Sequence, residues 1–178
     1  GEMVEGATVR ARGVVESKTN MDLDGDVLRV VSGNDWSSDT NTNHVETFDA
    51  SDIDTLAPID HATFGDGEDL YATIFLGPKA FFVTYRRVDP FHAFAIDAAG
   101  MITEESAFVV SGWNDFFKAV SDDTRLLGVG KNDEVGQRLA VSLYDITDLT
   151  NPNPLITRAE VELAWSSSEA SWDDRAFT

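Results

Sequence analysis

Three stretches of this chain carry one pattern at one interval. Val45-Glu46-Thr47-Phe48-Asp49-Ala50-Ser51, His92-Ala93-Phe94-Ala95-Ile96-Asp97-Ala98 and Val141-Ser142-Leu143-Tyr144-Asp145-Ile146-Thr147 each alternate apolar and other residues, and each contains a bulky hydrophobe followed by aspartate. Asp49, Asp97 and Asp145 lie 48 positions apart (97 − 49 and 145 − 97). A period of this size is the mark of one supersecondary unit copied in tandem. The fold must therefore divide into similar pieces.

The flanks keep step with the aspartates. After each comes a turn and then an outer strand, expected over Thr55–Phe64, Met101–Val110 and Leu155–Leu163. Next in each period come Leu70–Leu76, Phe116–Val120 and Ser168–Trp172. A further apolar run follows, at Ala80–Tyr85, Leu126–Gly130 and the stub Ala176–Thr178. Turn signals such as Gly65-Asp66-Gly67, Gly77-Pro78-Lys79 and Asn151-Pro152-Asn153-Pro154 separate them. The first period fits less cleanly, with strands expected over Thr8–Val15 and Val27–Ser32 and a polar loop over Gly33–Asn43. A run that resembles a short helix, Trp113–Ala119, is expected to be a turn entering a strand.

Period-two alternation with β-branched and aromatic residues argues against helix. Four strands per repeat of 40 to 50 residues cannot cover both faces alone, so copies stack radially. The expected fold is all-β: a β-propeller segment of three to four four-stranded antiparallel blades in an incomplete ring. The blades are expected over about 8–64, 70–110 and 116–163, with a truncated one over 165–178. A plain sandwich is the competing architecture, and equal spacing favours blades.

Charge limits the partners. The chain has 178 residues, 42% of them hydrophobic, and 32 Asp plus Glu against 13 Lys plus Arg give a net charge of −19. Such a surface repels phosphate backbones and anionic lipid, so neither nucleic acid nor membrane insertion is expected. The scarcity of lysine (Lys18, Lys79, Lys118 and Lys131) suits a protein kept soluble in salty water. Without cysteine there is no disulfide or thiolate chemistry. The start, Gly1-Glu2-Met3-Val4, reads as a mature or engineered end, with any export signal upstream.

Leu70 to Asp97, and within it Val83-Thr84-Tyr85-Arg86-Arg87-Val88-Asp89-Pro90, resembles the bacterial and archaeal secreted β-propeller domain family, distantly related to WD40 repeats. Asp24-Gly25-Asp26-Val27-Leu28-Arg29-Val30 is similar to that family's opening hairpin, and Gly112-Trp113-Asn114-Asp115-Phe116-Phe117 to its Gly-aromatic turn. Leu126-Leu127-Gly128-Val129-Gly130 is similar to the blade that follows. Ala98-Ala99-Gly100 departs from the Ser-Asp-Pro type of turn, and the chain covers fewer blades than a closed ring. The resemblance implies an extracellular or periplasmic partial propeller and carries over no catalytic residues.

Residues with chemical potential are each met by a structural alternative. Asp22, Asp24 and Asp26 have the spacing of the first half of an EF-hand loop, but Val27 stands where that motif needs Gly and Gly33 where it needs a bidentate Glu. A hairpin turn at Asp24-Gly25-Asp26 is the simpler reading. His44, His61 and His92 show no ligand spacing, so no metal site is assigned. Arg86, Arg87 and Asp89 are expected to form a buried Arg–Asp pair, and Asp49, Asp97 and Asp145 to accept backbone N–H groups in the turns that follow them. Ser166-Ser167-Ser168 falls in a loop without a nearby base. Trp113, Trp165 and Trp172 are expected in the core, leaving Trp36 in its polar loop as the one to watch.

No catalytic, cofactor or metal residues are assigned. The functional expectation is a noncatalytic, secreted module that presents a binding or scaffolding surface to a protein or carbohydrate ligand, with homodimerisation through exposed sheet edges. The alternatives are a hydrolase with acids converging on the propeller axis and a calcium-stabilised structural module. No cofactor is expected otherwise.

Overall fold

The computed structural model describes residues 5–34, 41–85, 89–134, 136–173 and 176, with the Asp89 side chain outside the described set. Twelve strands occur among these residues: β1 (Met21–Asp24), β2 (Val27–Ser32), β3 (Asn43–Asp52), β4 (Thr55–Phe64), β5 (Asp69–Leu76), β6 (Lys79–Tyr85), β7 (Asp89–Ile96), β8 (Ile102–Val110), β9 (Trp113–Val120), β10 (Arg125–Asn132), β11 (Arg138–Asp145) and β12 (Leu155–Glu160). They form three four-stranded antiparallel sheets in simple meander order: β1-β2-β3-β4, β5-β6-β7-β8 and β9-β10-β11-β12. No sheet closes on itself, so the chain is a partial propeller.

The aspartate repeat reports equivalent positions. Asp49, Asp97 and Asp145 all lie at or just beyond the end of the third strand's core segment. Each accepts a backbone N–H from two residues on: Ser51 at 2.9 Å, Ala99 at 2.9 Å and Thr147 at 3.0 Å. These are the Asx turns expected from sequence. The Ser51 hydrogen bonds hold the Asp49 carboxyl below its ordinary range, and those of Thr147 do the same for Asp145.

Period-two alternation splits each inner strand between two cores. In β6, Ala80 and Phe82 face the first sheet, joining Val31, Val45, Phe64, Phe94 and Ile96, while Phe81 and Val83 face the third. In the second core Phe91 stacks on Phe108 at 4.6 Å and meets Tyr144 at 5.1 Å, tying the second sheet to the third. Fully burying a side chain of this size contributes roughly 1.5–3 kcal/mol. The middle sheet is thus clad on both faces.

Five side-chain contacts from one sheet to the backbone of the next reinforce the stacking, and Thr73 Oγ1 reaches back to the Thr19 carbonyl at 3.0 Å. From the first sheet, Arg29 Nη1 donates to the Gly77 carbonyl, Thr47 Oγ1 to the Gly100 carbonyl at 2.6 Å, and Asp60 Oδ2 accepts the Ile102 N–H at 2.8 Å. From the second, Lys79 Nζ donates to the Ile146 carbonyl at 2.7 Å and Ser106 Oγ to the Leu149 carbonyl at 2.5 Å. In all five the side chain belongs to the earlier sheet and the backbone group to the later one.

The ends depart from expectation. Thr8–Val15 forms no strand: only Val14 bridges Gly33, and the segment crosses the first sheet through bonds from Ala7 N–H to the Ile53 carbonyl (2.8 Å) and from Arg12 N–H to Glu46 Oε2 (2.9 Å). Gly13 sits against the Gly33 carbonyl oxygen so closely that a Cβ would collide with it. The expected truncated blade over 165–178 contains a 3-10 turn, Glu169–Ser171, and no strand among the described residues. Trp165 and Trp172 are correspondingly not core residues, being 74% and 69% exposed. With no fourth sheet built from the described residues, both indoles stay largely exposed. Of these three tryptophans, Trp113 packs against a core, at half-buried depth.

Candidate functional site at the meeting of the first strands

The first strands of neighbouring sheets draw together, β5 lying against β9, and a 3-10 turn at Lys18–Asn20 packs on β2 and β5. Asn20 pins that turn from inside. Its Oδ1 accepts the Ser17 and Glu16 N–H groups at 2.7 and 3.1 Å, and its Nδ2 donates to Thr73 Oγ1 at 3.3 Å. Between these elements opens a cleft of about 680 Å³, lined by Glu16, Asn34, Asp69, Tyr71 and Asp115 among others. A recess of about 260 Å³ continues it toward Thr73, Phe117 and Trp172, sharing Ser17, Tyr71, Asp115 and Ser171.

Tyr71, 41% exposed, stands edge-on to Tyr85 at 5.8 Å and near Trp113 at 6.4 Å, giving the wall an aromatic surface of fixed orientation. Asp115 is held by the Trp113 indole, whose Nε1 donates at 2.8 Å. Burial pushes its carboxyl above the ordinary value, and the Trp113 hydrogen bond and the charge of Lys131 pull the other way. Asn34, 9% exposed, donates its Nδ2 to Asn41 Oδ1, and its own Oδ1 has no hydrogen-bond partner among the described residues.

None of these cleft residues stood out as a functional candidate in the sequence. The one available signal was an acid near the start of every first strand, Asp22 in β1, Asp69 in β5 and Asp115 in β9. The residues that sequence did single out lie elsewhere. Asp22 is paired with Arg29, whose Nε donates to Oδ2 at 2.9 Å, and Asp24 lies 3.5 Å from Arg29 Nη1. Gly25 and Asp26 make the β1–β2 turn. Arg29 is buried and caps the Phe75 ring at 5.3 Å.

The histidines are sorted by strand register. His44 and His61, 17 residues apart, meet across β3 and β4 with Nδ1 and Nε2 at 3.0 Å. Desolvation lowers both pKa values; for His44 the charge of His61 adds to this, and for His61 that of Arg12 does. His92 joins a separate relay. Thr84 Oγ1 donates to Glu68 Oε2 at 2.6 Å and lies 3.2 Å from His92 Nε2, while His92 Nδ1 meets Glu104 Oε1 at 2.7 Å. This has the connectivity of a nucleophile, base and orienting acid. Thr84 is 0% and His92 5% exposed, so the relay staples the strands of the second sheet and its hydroxyl has no open approach.

Ser166 is spent on structure, its Oγ accepting the Leu139 N–H at 2.8 Å. Arg86, Arg87, Val88, Trp36 and residues 1–4 lie outside the described residues, as does the Asp89 side chain. Among the described residues no three His, Cys, Asp or Glu side chains converge to hold a metal ion.

Comparison with known proteins agrees with the architecture. An uncharacterized protein of Methanocaldococcus jannaschii is 26% identical over 162 residues, covering 87% of this chain and 25% of that protein. An uncharacterized protein of Archaeoglobus fulgidus is 33% identical over 91 residues, covering 50% of this chain and 14% of that protein. The chain thus spans a quarter or less of each of these relatives. The crystal structure of a proposed 6-phosphogluconolactonase from Bacteroides fragilis superimposes with a TM-score of 0.51 at 13% identity, over 79% of this chain and 40% of that one, a likeness of fold alone. A sequence model of the family described as beta propeller domain matches residues 1–178. Together with three radially stacked four-stranded sheets, this makes the chain a member of the beta propeller domain family.

Proposed function

We propose that the chain is a noncatalytic, secreted binding module whose ligand enters the cleft between the first strands, and that the ligand is a neutral polyhydroxylated molecule of the carbohydrate class. The observation that carries this is the composition of that cleft: a rigidly supported Tyr71 beside the carboxylates of Glu16, Asp69 and Asp115. An aromatic face takes the C–H face of a sugar, and carboxylate oxygens accept its hydroxyl protons. A net charge of −19 disfavours anionic ligands. Rigid sheets present these groups with little ordering cost on binding.

Titration calorimetry of the chain with a panel of neutral oligosaccharides, and with spermine as a cationic control, tests the reading. Binding of a neutral glycan, weakened about tenfold or more by Tyr71→Ala through loss of stacking, is the expected result. Binding of spermine alone, or glycan binding indifferent to Tyr71→Ala, defeats it. Release of new reducing ends during the titration would replace binding with hydrolysis, with Asp115 as the acid. Fractionation of source cells should find the protein outside the cytoplasm.

A further inference from the structure

A second site lies on the face of the first sheet turned away from the second. Val45 faces the second sheet, so its neighbours His44 and Glu46 point to the other side. His61 pairs directly across from Glu46 and therefore shares that face. His61 is exposed, His44 is 7% exposed, and Glu46 is held by Arg12 through the Arg12 N–H at 2.9 Å and Nε at 3.4 Å.

We propose that His44 Nδ1 and His61 Nε2 form a two-histidine clamp for a borderline divalent transition-metal ion, Cu²⁺ foremost, with water completing the coordination. The nitrogens stand 3.0 Å apart. With metal–nitrogen bonds of about 2.0–2.1 Å, that separation subtends roughly 94° at the ion, whereas a tetrahedral ion needs the nitrogens about 3.3 Å apart. A right angle is the cis geometry of tetragonal Cu²⁺ and Ni²⁺, and Cu²⁺ heads the affinity order for nitrogen ligands. The ion replaces the hydrogen bond between the rings and sits off the line that joins the two nitrogens. Both lone pairs must aim at that position, and the exposed His61 ring supplies most of the turn because His44 is buried. Arg12 places a positive charge beside the clamp while it neutralises Glu46, so it opposes the ion.

Electron paramagnetic resonance of the full chain with substoichiometric Cu²⁺, paired with calorimetry, tests the clamp. Hyperfine splitting from two imidazole nitrogens is expected. His61→Ala, a surface change checked for folding by circular dichroism, should remove one nitrogen and weaken binding about tenfold or more. Arg12→Ala should tighten binding severalfold, which a purely structural role for the histidines does not predict. An oxygen-only spectrum, as an acidic surface gives with loosely held copper, or equal binding by wild type and His61→Ala, overturns the proposal. The glycan titration reads a different site, so the two can fail separately.

Discussion

At the scale of single residues, the structure assigns opposite roles to chemically identical side chains. Asp49, Asp145 and Asp148 each hold a backbone N–H in a turn, and hydrogen bonding lowers their pKa values. A depressed carboxylate contributes stability that is present above its unfolded value near 3.9 and lost as pH falls through the lower folded value. Asp115 has the reverse sign, because burial raises its pKa and the cost of its charge is relieved as pH falls through that raised value. Asp115→Asn keeps an acceptor for the Trp113 indole and removes the buried charge. It should therefore raise the melting temperature at pH 7, with the gain shrinking as the pH approaches 4, while weakening the glycan binding proposed above. Thermal melts of wild type and variant across pH read this directly, and a variant less stable at pH 7 would contradict it. Gly130 tests a different residue-scale demand. A Cβ there runs into the Trp113 carbonyl oxygen where β10 shifts register against β9, so Gly130→Ala should cost about 2 kcal/mol or more in chemical denaturation, since backbone has to move.

At the scale of elements, alternation and turn chemistry carried most of the information. The expected Val27–Ser32 and Thr55–Phe64 coincide with β2 and β4, and Asp49, Asp97 and Asp145 open Asx turns late in or just after the third strands. What failed was pairing. Thr8–Val15 alternates like a strand but finds only one bridge, and Ser168–Trp172 becomes a 3-10 turn, because a strand needs a partner that local sequence does not reveal. The cleft was illegible for a related reason: Glu16, Asn34, Tyr71 and Asp115 come from separate segments and converge only when sheets stack. Likewise His44 and His61 meet only through the β3–β4 register. Between elements, Arg29 is the clearest target. Arg29→Met removes the bonds to Asp22 and to the Gly77 carbonyl. The abandoned Asp22 side chain is 35% exposed and can be hydrated, so the cost should be about 1.5–3 kcal/mol rather than that of a stranded interior charge. Urea unfolding measures it.

At the scale of the molecule, the three sheets do not have equal surroundings. The third turns Leu127, Val141 and Leu143 away from the second, with Val141 37% exposed, and Leu163 and Trp165 lie open beyond it. The isolated chain should therefore self-associate, as a dimer through sheet faces and edges, by sedimentation at micromolar concentration; a monomer there would refute this. Calcium should leave the melting temperature unchanged, since the Arg29 guanidinium already pairs with Asp22 and lies beside Asp24. The five forward side-chain contacts give the seams between sheets a polarity. The first sheet reads the main chain of the second, and the second reads that of the third. Exchanging two blades in a shuffled polypeptide would leave hydroxyls and cations facing carbonyls spaced for someone else, so the order of the copies is written into the seams between them as well as into the thread that joins them.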